Sequence, residues 1–270
     1  MKAYITLLSS RNYLPGVFAL ANSLRMVKSA YPLICALSKG IGTEIEKGLE
    51  CQGIKCIRFN EDVVRPDANP ENATFSHWNF TFDKLQVWGL DDFEKLIFLD
   101  SDMLVLRNID HLFEKEAFSA VCAGKSYPGN ESWNSLNSGL VVIRPDKDVK
   151  QALVNLTTRV ISEFQIRNQM VGDQDILHEY LPNWKNESHL HLDEGYNMFG
   201  DYLTWYIRNK GYTVSGMKGK PIYVVHFIGK LKPWMSPTAR QLFWLLRMYL
   251  RNPYYAWAYW MFRKCLKKKA

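Results

Sequence analysis

The chain has 270 residues, with 34 Lys+Arg against 27 Asp+Glu and a formal net charge of +7. A composition of 47% hydrophobic and 14% aromatic residues excludes a mainly disordered chain. Sixteen Gly and eleven Pro, with no period of 20–50 residues, exclude collagen-like and solenoid designs. The charge is unevenly placed: residues 1–201 hold all 27 acids and 20 bases, whereas residues 202–270 hold 14 bases and no acid. Such asymmetry points to an anionic partner for the C-terminal quarter. Five cysteines (Cys35, Cys51, Cys56, Cys122, Cys265) form no C-x-x-C pair and fit reduced thiols in a cytosolic setting. The apolar run 3–8 is too short for a signal peptide and Arg11 follows it. The N-x-S/T triplets at Asn72, Asn79, Asn130, Asn155 and Asn186 therefore read as chance.

In chain order, Tyr4–Leu8 reads as a buried strand and Leu14–Val27 as a helix. Strands at Pro32–Leu37 and Ile54–Phe59 flank a helix around Thr43–Leu49, a βαβ alternation that implies a parallel sheet. Residues 60–79, polar and carrying Pro66 and Pro70, read as a long loop. Lys95–Leu99 is an apolar strand stopped by Asp100-Ser101-Asp102, and Met103–Leu106 resumes it. Strands at Phe118–Ala123 and Gly139–Ile143, a helix at Lys147–Gln165 and a strand at Ile222–Phe227 follow. From Pro237 onward the pattern is helical and basic. Ligands of open α/β sheets lie beyond the carboxyl ends of the strands, where Ser9, Asp100 and His226 fall.

Asp100 and Asp102 are carboxylates two residues apart at the end of a buried strand, able to converge on one hard cation. A bare D-x-D is more often a solvated turn, but two acids on an apolar rim repel each other unless a cation compensates them. His226, followed by Gly229 and Lys232, adds an imidazole, a flexible position and an ammonium suited to a metal-bound phosphate. Two carboxylates and one imidazole suit Mn better than Ca, with Mg as the substitute. Asn137-Ser138-Gly139 has the chemistry of a turn, and Gly172-Asp173-Gln174-Asp175 that of a helix N-terminus.

Six stretches in this order carry a resemblance: ITLLSSRNYLPGVFALANSL, FDKLQVWGL, KLIFLDSDMLVLRNIDHLF, NSGLVVIRP, GDQDIL and HFIGKLKPW. Over residues 3–234 the chain resembles the retaining glycosyltransferases of family 8, the group of glycogenin and the bacterial lipooligosaccharide galactosyltransferases. The resemblance implies an α/β GT-A fold, with a Rossmann-like nucleotide-binding sheet flanked by helices, a UDP-sugar donor and Mn²⁺. By position, Asp100, Asp102 and His226 match the metal ligands. Leu7, Ser9, Ser10 and Tyr13 match the uridine stretch, with Ser10 in place of a frequent Asn. Lys84 and Ser101 match donor contacts, Asn137 and Ser138 the sugar pocket, Asp173 and Gln174 the pair near the anomeric carbon, and Gly229 and Lys232 the diphosphate grip. Phe75 stands where glycogenin-like sequences place arginine, and Thr204 where glycogenin carries its self-glucosylated tyrosine, with Tyr202 and Tyr206 beside it. Trp78-Asn79-Phe80 and Asp83-Lys84-Leu85 also resemble the plant xylan glucuronyltransferases.

These readings predict a metal-dependent retaining transfer of glucose or galactose to a cell-surface or lipid-linked saccharide, as in lipopolysaccharide biosynthesis. The alternatives are a self-glycosylating protein and a UDP-sugar-binding protein without turnover. Gln174 is a weak nucleophile and Asp173 a better one, and front-face attack is the favoured course. Residues 1–235 would form the catalytic domain and 236–270 a basic amphipathic tail. Nine of the 22 residues 241–262 are aromatic, and the interleaved cations suit an anionic membrane surface rather than nucleic acid. The uncharged stretch 252–262 is too short to span a bilayer, so the expected location is cytoplasmic, on the inner face of the membrane.

Overall fold

The computed structural model describes residues 1–61, 63–64, 81–167 and 169–267. Most of the loop expected at 60–79 lies outside them, with Phe75, Trp78, Phe80 and the triplets at Asn72 and Asn79. β1 (Lys2–Leu8), α1 (Leu14–Met26), β2 (Leu33–Leu37), α2 (Thr43–Glu50) and β3 (Lys55–Arg58) form the predicted βαβαβ run. β4 (Lys95–Leu99), β5 (Met103–Val105), β6 (Ala120–Val121), β7 (Asn137–Ile143), α3 (Lys147–Ile166) and α4 (Asp173–Tyr180) follow. The chain ends with β8 (Met198–Phe199), α5 (Leu203–Asn209), β9 (Tyr212–Thr213), β10 (Lys220–Pro221), β11 (Val224–His226), α6 (Ala239–Arg251) and α7 (Pro253–Lys267).

The main sheet has the order β3-β2-β1-β4-β7-β6. Its first four strands are parallel, and β7 runs antiparallel to both β4 and β6. Strand order reverses between β1 and β4, which is where such sheets open a crevice for ligands. Side chains alternate across the sheet. Tyr4 and Leu8 of β1 pack beneath α1 and α2, while Ala3 and Ile5 pack with α3 and α4. Both faces are covered, so these strands read as unbroken apolar runs.

The strand expected at Phe118–Ala123 pairs only over Ala120–Val121, because Phe118 sits in the left-handed region (φ 65) and the register shifts after Ala120. Asn137-Ser138-Gly139 opens β7 itself rather than forming a turn before it. β5 leaves the main sheet and joins a second one of order β5-β11-β8. A third core packs Tyr255, Ala258, Tyr259, Phe262 and Cys265 of α7 against Ala19, Leu104, Leu203 and Val225. The boundary drawn at residue 235 therefore cuts through continuous packing. α7 is part of the body, whereas α6 buries only Leu245. No helix among the described residues is long and apolar enough to cross a membrane.

Candidate active site

β4 ends at Leu99, opposite Leu140 of β7. The Asp100 amide donates to the Gly139 carbonyl at 2.9 Å, fixing the first carboxylate at the sheet rim. The chain turns through Ser101 and Asp102 and enters β5, where Met103 pairs with His226 of β11. The Phe227 amide donates to the Asp102 carbonyl at 3.1 Å. The D-x-D is thus the hinge between two sheets, and the second sheet delivers the histidine. Two glycines permit the close approach. A Cβ at Gly139 would lie 2.7 Å from Cε1 of His226, and one at Gly16 would lie 2.5 Å from the Ser101 carbonyl oxygen.

Asp100, Asp102 and His226 each offer a ligand atom within 4.8 Å of the others. Nε2 of His226 lies 3.1 Å from Oδ1 of Asp102 and 3.7 Å from Oδ2 of Asp100. Two ammonium groups flank the carboxylates. Lys232 reaches Oδ2 of Asp102 at 2.7 Å. Lys84 lies 3.2 Å from Oδ1 of Asp100 and 2.9 Å from Oδ2 of Asp173. Burial pushes Asp100 above the ordinary carboxylate range, and Lys84 only partly reverses it. Burial acts on Asp102 in the same sense, but Lys232 and His226 outweigh it and hold that carboxyl below the range. Lys84 and Lys232 are buried too, yet their carboxylate neighbours keep both above the usual lysine value. The donor set fits a divalent cation, since a cation beside Asp100 would relieve the cost of ionising it in this setting.

A cleft of about 790 Å³ opens here. It collects Leu7 from β1, Ser9 and Tyr13 from the segment that follows it, Ser101 with its two flanking acids, Lys84, Asn137, Ser138, Asp173, Gln174, His226 and Lys232. Two expected residues do not line it. The Ser10 hydroxyl accepts from the Asn12 amide at 3.4 Å and caps the turn Arg11–Tyr13. Gly229 stands in open space in the loop after β11. That loop is held across the cleft by Trp234, which donates to the Asn12 carbonyl at 2.8 Å and meets Tyr13 edge to face. Oε1 of Gln174 accepts from Asn137 Nδ2 at 3.0 Å and from the Ser138 amide at 3.1 Å. Asp173 is the first residue of α4, as the pattern suggested, and is also the ion-pair partner of Lys84. Trp133, exposed at the rim, and His178 line the cleft as well. Neither lies in a recognisable motif. Asn197, buried beneath His226, belongs to no motif either.

The model of the glycosyl transferase family 8 matches residues 4–238. The chain is 31% identical over 249 residues to glycogenin-1 of Caenorhabditis elegans, covering 88% of this chain and 52% of that protein. It is 31% identical over 238 residues to UDP-glucuronate:xylan alpha-glucuronosyltransferase 1 of Arabidopsis thaliana, covering 87% of this chain and 32% of that protein. The chain thus spans between a third and a half of the length of these relatives. Its fold matches a crystal structure of the galactosyltransferase LgtC with donor and acceptor sugar analogs at a TM-score of 0.63 and 15% identity, covering 98% of this chain and 95% of that one. With a GT-A sheet, an Asp-Asp-His cluster at its switch point and a family match over most of its length, the chain belongs to glycosyltransferase family 8, a family of sugar-transferring enzymes.

Proposed function

We propose that the chain transfers a neutral hexose from a UDP-sugar to a saccharide hydroxyl, with retention of configuration. The observation that carries this reading is the Asp100/Asp102/His226 cluster between the Lys84 and Lys232 ammoniums in one cleft. Asp100, Asp102 and His226 would hold Mn²⁺ or Mg²⁺, which when bound supplies charge to neutralise a diphosphate. Leu7, Ser9 and Tyr13 would seat the uridine. Lys232, beside Asp102, would face the diphosphate. A neutral sugar is favoured over glucuronate by the charges of the cleft. Among the described residues its only Lys or Arg are Lys84 and Lys232, and both already meet carboxylates.

In the transfer, the bond from sugar C1 to the β-phosphate oxygen breaks and its electron pair leaves with UDP. Lys232 would stabilise that charge. The acceptor oxygen bonds to C1 from the same face and its proton passes to the departing phosphate. Gln174 supports this front-face course, because its Oε1 already accepts two hydrogen bonds and is poorly placed as a nucleophile. Asp173 is tied to Lys84. The acceptor would be a separate molecule. Thr204 is buried and bonded to Asn252, Tyr206 is fully buried and bonded to Glu194, and Tyr202 is stacked on Tyr127 at 3.8 Å.

We also propose that α6 lies on an anionic lipid surface at the cytoplasmic face of a membrane and brings the active site to a lipid-linked or cell-surface saccharide. Leu242, Phe243, Leu246 and Leu250 are exposed and share one helical face, beside Arg240, Arg247 and Arg251.

UDP release from a panel of UDP-sugars, with and without Mn²⁺, tests the enzymatic reading. Asp102→Asn should lower turnover about 10²–10³-fold, as when one transition-state charge contact is lost. Unchanged turnover refutes the metal site. A mass increase on the protein itself would favour self-glycosylation, and donor binding without UDP release would favour a binding protein.

A further inference from the structure

His226 faces the carboxylates through Nε2, so what its other nitrogen does decides what Nε2 can offer. Nδ1 lies 2.9 Å from Oδ1 of Asn197. Asn197 is fully buried, just before β8, and its Nδ2 donates to Oδ1 of Asn137 at 2.7 Å. The orientation of these amides is not arbitrary. The Gly139 backbone N–H donates to Oδ1 of Asn137 at 3.0 Å, and the Ser138 backbone N–H donates to Oε1 of Gln174 at 3.1 Å. A backbone N–H can only donate, so both acceptors are fixed as oxygens. Asn137 must then donate through Nδ2, and it does so to Gln174. Asn197 must turn its nitrogen to Asn137 and its oxygen to His226. A carbonyl oxygen only accepts, so Nδ1 of His226 carries a proton whether or not Nε2 does, and a ring that yields its Nε2 position to a cation offers its lone pair there.

We propose that Asn197 is a positioning residue that holds His226 in the tautomer and ring orientation of a metal ligand, in a relay running from the β7 backbone through Asn137. The inference rests on the metal reading above and adds a residue to it. Asn137 joins the same relay to Gln174, so the metal side and the sugar side of the cleft share one rigid support. Partners that orient a ligating histidine usually matter about 10–100-fold for metal affinity.

The test is Mn²⁺ binding, read from the EPR signal of free Mn²⁺ during titration of the full chain in the presence of UDP. Asn197→Leu and the smaller Asn197→Ser should each weaken binding by about 10–100-fold. Asn197→Asp, which retains an acceptor for Nδ1 but sets its second oxygen against Oδ1 of Asn137, should bind more tightly than Asn197→Leu and less tightly than the unaltered chain. His226→Ala sets the baseline, and adding Asn197→Leu to it should cost nothing more. A further equal loss in the double variant would mean that Asn197 is merely structural and would overturn the proposal. On the unaltered protein with Mg²⁺, ¹⁵N spectra should show His226 protonated at Nδ1, and a bare Nδ1 overturns it without any variant. If the unaltered protein binds Mn²⁺ saturably and Asn197→Leu binds it equally well, this inference fails alone. If the unaltered protein shows no saturable binding, the metal reading fails with it.

Discussion

α6 and α7 are consecutive helices of similar composition, aromatic, basic and free of acids, yet they occupy opposite environments. α7 buries Tyr255, Ala258, Tyr259, Phe262 and Cys265, and Asn22 of α1 donates to the Cys265 carbonyl at 2.9 Å. Phe262 stacks on Trp234, and Arg263 donates to the Pro233 carbonyl at 3.1 Å, so α7 underpins the loop that carries Lys232. α6 buries Leu245 alone and leaves Phe243 62% and Leu250 87% exposed. The lesson is that aromatic and cationic content marks neither a core helix nor a membrane helix. What separates them is whether another element covers the apolar face.

The comparison breaks most readily at Phe262. Phe262→Ala should cost about 3–5 kcal/mol of stability in urea unfolding, the range for a buried phenylalanine, and should lower UDP affinity through the 227–234 loop. A cost below about 1 kcal/mol, the level of a surface substitution, would place α7 outside the core. The junction comes next. Buried Asn252 donates to the Asp201 carbonyl at 2.8 Å, accepts from the Tyr255 amide at 3.1 Å and bonds Thr204. Asn252→Ala should cost about 1–3 kcal/mol by leaving these groups unsatisfied, and Thr204→Val in that background should recover part of it. A neutral Asn252→Ala would mean that the helices are not pinned there. The smallest effects belong to α6. Arg247→Gln and Arg251→Gln should leave stability within about 0.5 kcal/mol, while each weakens binding to anionic vesicles by about 1 kcal/mol. Raised salt should abolish the difference. Equal binding to neutral and anionic vesicles would remove the electrostatic half of the membrane proposal.

A pH titration probes a half-buried acid held by neutral donors. Asp110, an acid that does not line the cleft, accepts from the Ala30 amide, the Tyr4 hydroxyl and Asn108. Burial raises its carboxyl, but these donors together hold it below the ordinary value. Its contribution is therefore present above the unfolded value near 4 and fades as pH falls through the lower folded one. Asp110→Asn should flatten the acid limb of the stability curve, and an unchanged limb would show that the donors contribute nothing.

Much of the fold and the site was legible in the chain. The apolar runs of β1, β2 and β4 end where buried backbone gives way to polar rim, so their carboxyl ends, and with them Ser9 and Asp100, were readable. The family motifs brought Lys84, Asn137, Gln174 and Lys232 to the same cleft. β8, β9 and β10 were not legible, because two-residue strands have no periodicity. Asn197 escaped for a related reason. A single asparagine carries no local signal, and its meaning comes from Asn137, 60 residues earlier, and His226, 29 residues later.

By itself the sequence determined the local chemistry: which long apolar runs are strands, which carboxylates sit at a strand end, and that residues 202–270 carry positive charge without a single acid. Those properties follow from side chains acting on their own neighbourhood. Tertiary structure alone decided the rest. It paired β5 with β11 so that His226 meets the D-x-D, gave two buried ammoniums their carboxylate partners, and set α7 in the core while leaving α6 exposed. Each of these depends on a surface contributed from far along the chain, which no window of sequence contains.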